Sequence, residues 1–308
     1  MNPPLLVTGG NGMLGRALRR IVPDATFITR QDCDLTDACQ VQRVFENIRP
    51  RRVVHTASMV GGVKRNAASN ADFALINSQI NANVLSSAAQ IGVERMVAFM
   101  SSCAYGMWEQ GVVSEDHIHQ GMPYDGNLGY GFSKRMLDIQ LRLVTQQYGV
   151  KCSSLSPVTM YGPHDNLDLE DAHVVAALIH KCFFAQERGQ PLEVWGSGEA
   201  VRQFVFVDDI ARLTLESLEK WDGPDTVIAA ADPGATIKEL VTEVAAAMEF
   251  RGTIHFAATK PEGQKIKRLE SRRFSRQFPG FRFIPLREGL RQTVTWFLKE
   301  YHPAGAAK

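Results

Sequence analysis

The sequence has few cysteines and none in a metal-binding arrangement. The five, Cys33, Cys39, Cys103, Cys152 and Cys182, are odd in number, scattered, and form no CxxC pair. They offer neither a disulfide framework nor zinc-ligand spacing. Reduced thiols, no bound metal and a cytoplasmic setting are the expectations. An excess of charge of one sign is also missing, since 34 basic and 33 acidic residues leave a net charge of +1. Neither nucleic acid nor a membrane surface is therefore expected as a partner. No apolar run approaches the roughly 20 residues that a membrane helix requires. The opening stretch, 1–8, shows no basic segment followed by a cleavage site, so no secretory leader is expected. Internal repeats and low-complexity tracts are lacking as well. What remains is ordinary: 44% hydrophobic and 22% charged residues over 308 positions. That is enough apolar material for one large α/β domain or two modest ones.

Short β-branched runs alternate with helical stretches through the first half. Strands are predicted at Leu5–Thr8, Thr26–Ile28, 52–56, 96–100 and 152–158. Helices are predicted at Met13–Ile21, 41–48, 80–91 and 130–148. Such alternation implies an α/β fold, a doubly wound parallel sheet of the Rossmann kind with right-handed crossovers. After Tyr161 the pattern loosens into helix Val174–Arg188, strands Leu192–Trp195 and 204–207, and a helix through 210–219 that Asp208 and Asp209 can cap. Helices at 237–248 and Leu286–Glu300 follow, mixed with short strands. The division expected is a Rossmann domain over 1–165, with about 200–225 returning to it. A smaller α/β substrate domain takes 166–199 and 226–302, and 303–308 form a disordered tail.

The first strand runs into Thr8-Gly9-Gly10-Asn11-Gly12-Met13-Leu14-Gly15 and then a helix. Glycines at 9, 12 and 15 suit a tight turn, close backbone approach to a pyrophosphate, and close helix packing. The helix N-terminus adds unpaired N–H groups and the positive end of its dipole. Gly9, Asn11, Gly12, Met13, Leu14 and Gly15 are thus candidate dinucleotide contacts. Behind the second strand stand Thr29-Arg30-Gln31-Asp32. NAD sites commonly place a carboxylate there for the ribose hydroxyl, whereas a guanidinium suits a 2′-phosphate. Arg30 therefore points to NADP(H), with Asp32 as its competitor. Asp34 and Leu35 lie where an adenine could be held, and capping of a helix by Thr36 or Asp37 is equally compatible.

Tyr130-Gly131-Phe132-Ser133-Lys134 is a YxxxK pair, with both functional groups on one helix face. An ammonium beside a phenol can make it a usable acid or base, and Ser101, after the fourth strand, can hydrogen-bond a reacting oxygen. A packed tyrosine and a solvated lysine would be the bland alternative. The glycine turn and the serine in the same chain make that coincidence improbable.

These residues carry a resemblance. The chain resembles the extended short-chain dehydrogenase/reductases, and within them the epimerase/reductases of GDP-linked 4-keto-6-deoxy sugars. The matching segments are Ala57-Ser58-Met59-Val60-Gly61-Gly62-Val63, Ser101-Ser102-Cys103-Ala104-Tyr105, Tyr161-Gly162-Pro163-His164-Asp165-Asn166, Ala172-His173-Val174, Val194-Trp195-Gly196-Ser197-Gly198, Arg202-Gln203-Phe204, Val207-Asp208-Asp209 and Lys260-Pro261-Glu262-Gly263. The resemblance implies that Ser101, Tyr130 and Lys134 form a reductase triad, with Cys103 as epimerisation base and His173 as epimerisation acid. It also implies that Ala57, Tyr130, Lys134 and His173 contact NADP(H), and that Lys181, Trp195, Arg202 and Lys260 hold a nucleotide-sugar. A homodimer through 80–91 and 130–148 is implied too. The chemistry agrees, because a thiolate can remove a proton beside a ketone and inversion needs a second group to return one.

The chain departs from the family pattern at several positions. Gly106 and Gly129 stand where proline is usual, Lys181 replaces an arginine, Ser58 an alanine, and Asn11 a residue that is often arginine. Lysine keeps the charge but loses the bidentate fork. Two other readings remain open here: a single-reaction reductase or epimerase on a related GDP-sugar, and a non-catalytic NADP-binding regulator. Cys103 and His173 would then be a small buried thiol and a core or capping imidazole.

Overall fold

The structure, a computed structural model, describes residues 4–106, 113–169, 171–221, 223–231, 233–260 and 266–300. The tail expected over 303–308 lies outside them, as does Pro261-Glu262-Gly263. The chain forms two compact units: Met1–Val158, Asp208–Ala230 and Leu269–Phe281 make the first, and Thr159–Val207, Ala231–Arg268 and Arg282–Lys308 the second. No helix among the described residues is long and apolar enough to cross a membrane.

Unit one is built on β1 (Leu5–Thr8), β2 (Thr26–Ile28), β3 (Arg52–His55), β4 (Arg95–Phe99), β5 (Lys151–Pro157) and a last strand, Thr226–Ala229. Across the sheet the order is β2, β1, β3, β4, β5, last strand. Every pairing is parallel. Helices α1 (Met13–Ile21), α2 (Ala38–Ile48), α3 (Val63–Ala68), α4 (Asn70–Ile91) and α5 (Leu128–Tyr148) connect the strands. This is the expected Rossmann architecture. Strand order reverses beside β1, so the crevice at the carboxyl ends of β1 and β3 is the topological switch point where ligands of such folds bind. Leu6, Val7, Val53, Val54, Met96, Val97 and Ala98 are all fully buried, as strands covered on both faces should be.

Three features differ from the sequence pattern. First, α4 begins ten residues before position 80, at Asn70. Asn70 and Asn77 interrupt the apolar stripe that marks a helix, because their amides serve neighbouring loops rather than the core. Second, Thr226–Ala229 pairs with β5 and completes the sheet instead of joining the smaller unit. Segment Leu269–Phe281 follows it into unit one. The buried Glu115 carboxylate ties the two segments together, accepting from Ile228 N, Ser271 Oγ and Arg272 N at 3.2, 2.5 and 3.0 Å. Third, Asp208 and Asp209 are not caps. Helix Val207–Lys220 already includes both, with Asp208 paired to Arg20 and Asp209 to Arg212.

Unit two packs α6 (Val174–Arg188) with helices Ile237–Ala247 and Leu286–Glu300 around Tyr161, Ile179, Val194, Phe206, Leu240 and Phe297. Thr236 and Glu239 form a capping box that starts the first of those two helices. Strand Thr159–Tyr161 pairs with Phe204–Phe206, and Leu192–Trp195 pairs with Ile254–Ala257, both in parallel.

A buried polar chain closes the crevice end of the sheet. Ala57 N donates to Thr8 Oγ1 at 3.3 Å. Thr8 Oγ1 lies 2.8 Å from His55 Nδ1, and His55 Nε2 lies 3.1 Å from Asn81 Oδ1. The order fits a neutral imidazole that accepts at Nδ1 and donates at Nε2. Burial lowers the His55 pKa to about 4, against the Asn81 hydrogen bond. Between an unfolded value near 6.5 and that folded value, the unfolded chain alone takes up the proton, so stability falls as pH falls. We expect a loss of ~3 kcal/mol across this window. Urea unfolding of wild type and His55→Asn at pH 7 and 4.5 checks it; the variant should lose less on acidification.

Candidate active site

The carboxyl ends of β1, β3 and β4 carry the predicted groups of unit one. Gly9 takes φ 73°, the left-handed region. A Cβ on it would lie 2.6 Å from Thr56 Oγ1 and 2.9 Å from Ala57 N, and one on Gly15 would strike the Gly9 carbonyl. No side chain caps α1 at Gly12, and its first turn holds no acid. The turn is thus closed to a Cβ at Gly9 and Gly15, at a helix N-terminus left to an anion, and it fits a dinucleotide pyrophosphate. Asn11, Met13 and Leu14 belong to the same turn.

At the end of β2 the rivalry between Arg30 and Asp32 has a local answer. Asp32 Oδ2 accepts from Thr29 N at 2.8 Å and Thr29 Oγ1 at 2.7 Å. Those bonds hold its carboxyl below the usual range and turn it into its own loop. Arg30 is exposed beside it. Asp34 likewise accepts from Thr36 N and Oγ1, while Leu35 accepts from Asn83 through its carbonyl. The helix cap is Asp37, which receives Cys39 N and Gln40 N.

The triad assembles on β4 and α5. Ser101 leads a short 3₁₀ turn, Ser102–Ala104, and its Oγ accepts from Cys103 N at 3.1 Å. The neighbouring Ser101 and Ser58 hydroxyls favour ionisation of the Tyr130 phenol, yet burial dominates and pushes its pKa upward. Tyr130 is thereby kept as a protonated acid. Cys103 is close enough for charge on it to oppose a phenolate. Lys134 is buried; its Nζ donates to Phe99 O at 2.9 Å and lies 5.5 Å from the Tyr130 ring centroid. Burial lowers its pKa to about 8. An ammonium with one fixed carbonyl partner keeps two donors for a ribose.

Sequence reasoning missed the groups that hold this arrangement. The Asn77 amide accepts from Met59 N and Ser58 Oγ at 2.7 and 2.9 Å and donates to Met59 O at 3.0 Å, fixing the loop after β3. Phe73 meets the Tyr130 ring edge-on at 6.2 Å. The Arg135 guanidinium binds the carbonyls of Ala104, Gln120 and Gly121. Two family departures find their reason here. A Cβ on Gly106 would lie 2.7 Å from Gln120 O, and one on Gly129 would strike Asn70 O. Gly129 also uses its N–H, donating to Asn70 Oδ1 at 2.9 Å, which a proline could not do. Only the glycines themselves were visible as a signal.

In unit two, three of the four predicted substrate residues converge. Trp195 is 53% exposed, so a ring face is available for stacking. Lys181 Nζ and Lys260 Nζ lie 4.9 and 5.9 Å from its ring centroid, and the Glu193 carboxylate receives its indole N–H at 3.2 Å. Two ammonium groups beside one exposed aromatic ring suit a nucleotide's base and diphosphate. Arg202 sits on strand Val201–Arg202, its Nη1 donating to the Val201 carbonyl at 2.7 Å. His173 directly precedes α6, and its Nδ1 lies 3.4 Å from Asp165 Oδ1. It makes no side-chain cap to the helix.

Gly131 explains how Cys103 is held. A Cβ there would lie 2.6 Å from the Cys103 carbonyl and 2.8 Å from Pro123 Cβ. Gly131→Ala must push the Ser101–Cys103 turn off α5 by a fraction of an ångström. A misplacement of ~1 Å at a reacting group can cost about 100-fold, so on the proposed roles of Ser101 and Cys103 this smaller push should cost roughly 10-fold in turnover. Steady-state kinetics should show this loss in kcat, with affinity for NADPH retained.

Residues 5–230 match the model of the NAD dependent epimerase/dehydratase family. A GDP-L-fucose synthase of Dictyostelium discoideum is 32% identical, the alignment covering 97% of each chain. That of Escherichia coli (strain K12) is 30% identical over 96% of each. Among solved structures, a GDP-L-fucose synthetase from Naegleria fowleri bound to NADP superposes with a TM-score of 0.91 at 31% identity, covering 98% of this chain and 95% of the other. The glycine cradle, the parallel sheet and the Ser101, Tyr130 and Lys134 set therefore have a common explanation: the chain belongs to the NAD dependent epimerase/dehydratase family, alongside the GDP-L-fucose synthases.

Proposed function

We propose that this protein is an NADPH-dependent epimerase/reductase of a GDP-linked 4-keto-6-deoxy sugar. The observation that carries the reading is the set of Ser101, Tyr130 and Lys134 with Cys103 in the Ser102–Ala104 turn, whose Cys103 carbonyl packs against α5 at Gly131. A plain reductase has no use for that thiol. The cofactor, when bound between the glycine cradle and Arg30, supplies hydride to the ketone. Ser101 positions the ketone oxygen by hydrogen bonding, and Tyr130 gives it a proton. Lys134 keeps positive charge beside the phenol, which favours proton release. Cys103 acts as base on the carbons beside the ketone, and His173 as the acid that reprotonates them. Lys181, Trp195, Arg202 and Lys260 bind the GDP moiety.

A homodimer is part of the same proposal. Phe132, Met136, Ile139 and Leu143 are exposed at helical spacing along α5, with Leu75 exposed on α4. An apolar stripe of this kind marks an interaction surface, and the proposed partner is a second copy. Met136→Glu with Leu143→Lys should yield monomers by sedimentation velocity; a wild type that sediments as a monomer would remove the dimer.

Purified protein given GDP-4-keto-6-deoxymannose should oxidise NADPH in preference to NADH, and Arg30→Asp should abolish or reverse that preference. Tyr130→Phe should cut reduction by at least about 100-fold while NADPH still binds. Reduction at a near wild-type rate in Tyr130→Phe would assign the proton to another acid. The pH dependence tests Lys134. As pH rises through about 8 in the cofactor-free protein the ammonium is lost, so NADPH affinity should weaken above that pH, as equilibrium titration can read.

A further inference from the structure

We propose that Asp165 is a positioning residue that presents His173 as a cationic proton donor; this rests on the epimerase reading above. Asp165 is a carboxylate almost shut off from water, its side chain 7% exposed. One oxygen, Oδ1, accepts from Asn166 N at 2.8 Å and lies 3.4 Å from His173 Nδ1. The other, Oδ2, is buried with no hydrogen-bond partner. A buried carboxylate with half its acceptor capacity unused carries a desolvation cost that a neighbouring cation offsets. The separation is long for a hydrogen bond and within ion-pair range, as suits a contact that tightens once the ring is charged.

The position of His173 gives the carboxylate its purpose. The residue is the N-cap of α6, where the positive end of the helix dipole opposes a cation. Asp165 reverses that bias. Its hydrogen bond is the main cause that raises the His173 pKa, against burial, and Asp171 adds a smaller Coulombic contribution. Asp168 acts instead on His180. Pairing Nδ1–H with a carboxylate also fixes the ring so that Nε2–H is the remaining donor. The His173 side chain keeps 43% of its surface exposed, so that donor is not sealed in the core.

The backbone before Asp165 is built for this aim. His164 takes φ 68°, unusual for a residue other than glycine. Its ring is held edge-on to Trp296 at 4.9 Å. Gly162, at φ 153°, leaves no room for a side chain, since a Cβ would strike Val207. Strained backbone persists where surrounding packing over-determines it, and such sites cluster at functional loops.

The sign of the pH effect follows. A group whose folded pKa is raised stays protonated to higher pH, so a step that needs the imidazolium fails on the alkaline side. Removing the carboxylate should move that failure to lower pH. The experiment is an NMR titration of the His173 imidazole in the full-length protein, beside solvent-deuterium incorporation into product from pH 6 to 9. Asp165→Asn should move the titration and the alkaline limb together to lower pH and cut incorporation at pH 8 by about tenfold. Hydride transfer to the ketone should change little. Asp171→Asn should move the titration less. Asp165→Glu, which keeps the charge, should keep His173 cationic to a similar pH yet incorporate deuterium more slowly. An unmoved His173 titration in Asp165→Asn, with wild-type incorporation intact, overturns the proposal. Wild-type product without solvent deuterium would overturn the epimerase reading instead, and a titration moved by Asp165→Asn would still establish the pairing.

Discussion

One face of α4 holds unit one's chemistry in place. Asn70, Phe73, Asn77 and Asn81 fall three or four residues apart, on a single stripe. From bottom to top they bind the start of α5 at Gly129, the Tyr130 ring, the loop after β3 at Met59, and His55 at the end of β3. Loops at a sheet's carboxyl edge have no ladder of their own to fix them, so their backbone groups need partners from outside. Buried amides on a rigid helix supply those partners with defined geometry. Hydrogen-bonded amides of this kind favour one arrangement, whereas apolar packing alone tolerates several.

Glycine does the complementary work. Gly9 and Gly15 open a cradle, Gly129 lets α5 start against α4, and Gly131 lets the Cys103 carbonyl lie on α5. Each is a place where backbone meets backbone, and any side chain would hold the parts apart. Ser101, Cys103, Tyr130 and Lys134 are therefore placed by the absence of atoms at a few positions and by amide partners at a few others. Burial then adjusts their chemistry, keeping the Tyr130 phenol protonated and bringing Lys134 down to about 8.

This division explains what could be read from the sequence. Strands such as Leu5–Thr8 announce themselves because they are buried on both faces and so are continuously apolar. The glycine turn and Tyr130 with Lys134 are local in sequence, and local spacing is legible. Asn77 and Asp165 were not legible in the same way. An asparagine inside a helical stripe lowers the apparent periodicity, and nothing nearby shows that it satisfies a loop 18 residues earlier. Asp165 stood inside a recognised motif, but its partner is eight residues away across a turn set by His164. Strand Thr226–Ala229 was hidden for a related reason. Its place at the sheet edge comes from pairing with β5, and its Ile228 N–H is taken by Glu115, 113 residues earlier.

On the proposed function, one chain both inverts carbons beside the ketone and reduces it. The most direct measurement is NMR and mass analysis of product formed from GDP-4-keto-6-deoxymannose and NADPH in deuterated water. Solvent deuterium should appear at the carbons flanking the reduced one. Cys103→Ser should lose that label, with slow reduction of the unepimerised ketone remaining. Wild-type product that is fully reduced and carries no solvent deuterium at those carbons would contradict it, leaving a plain reductase in which Cys103 and His173 have no part in the chemistry.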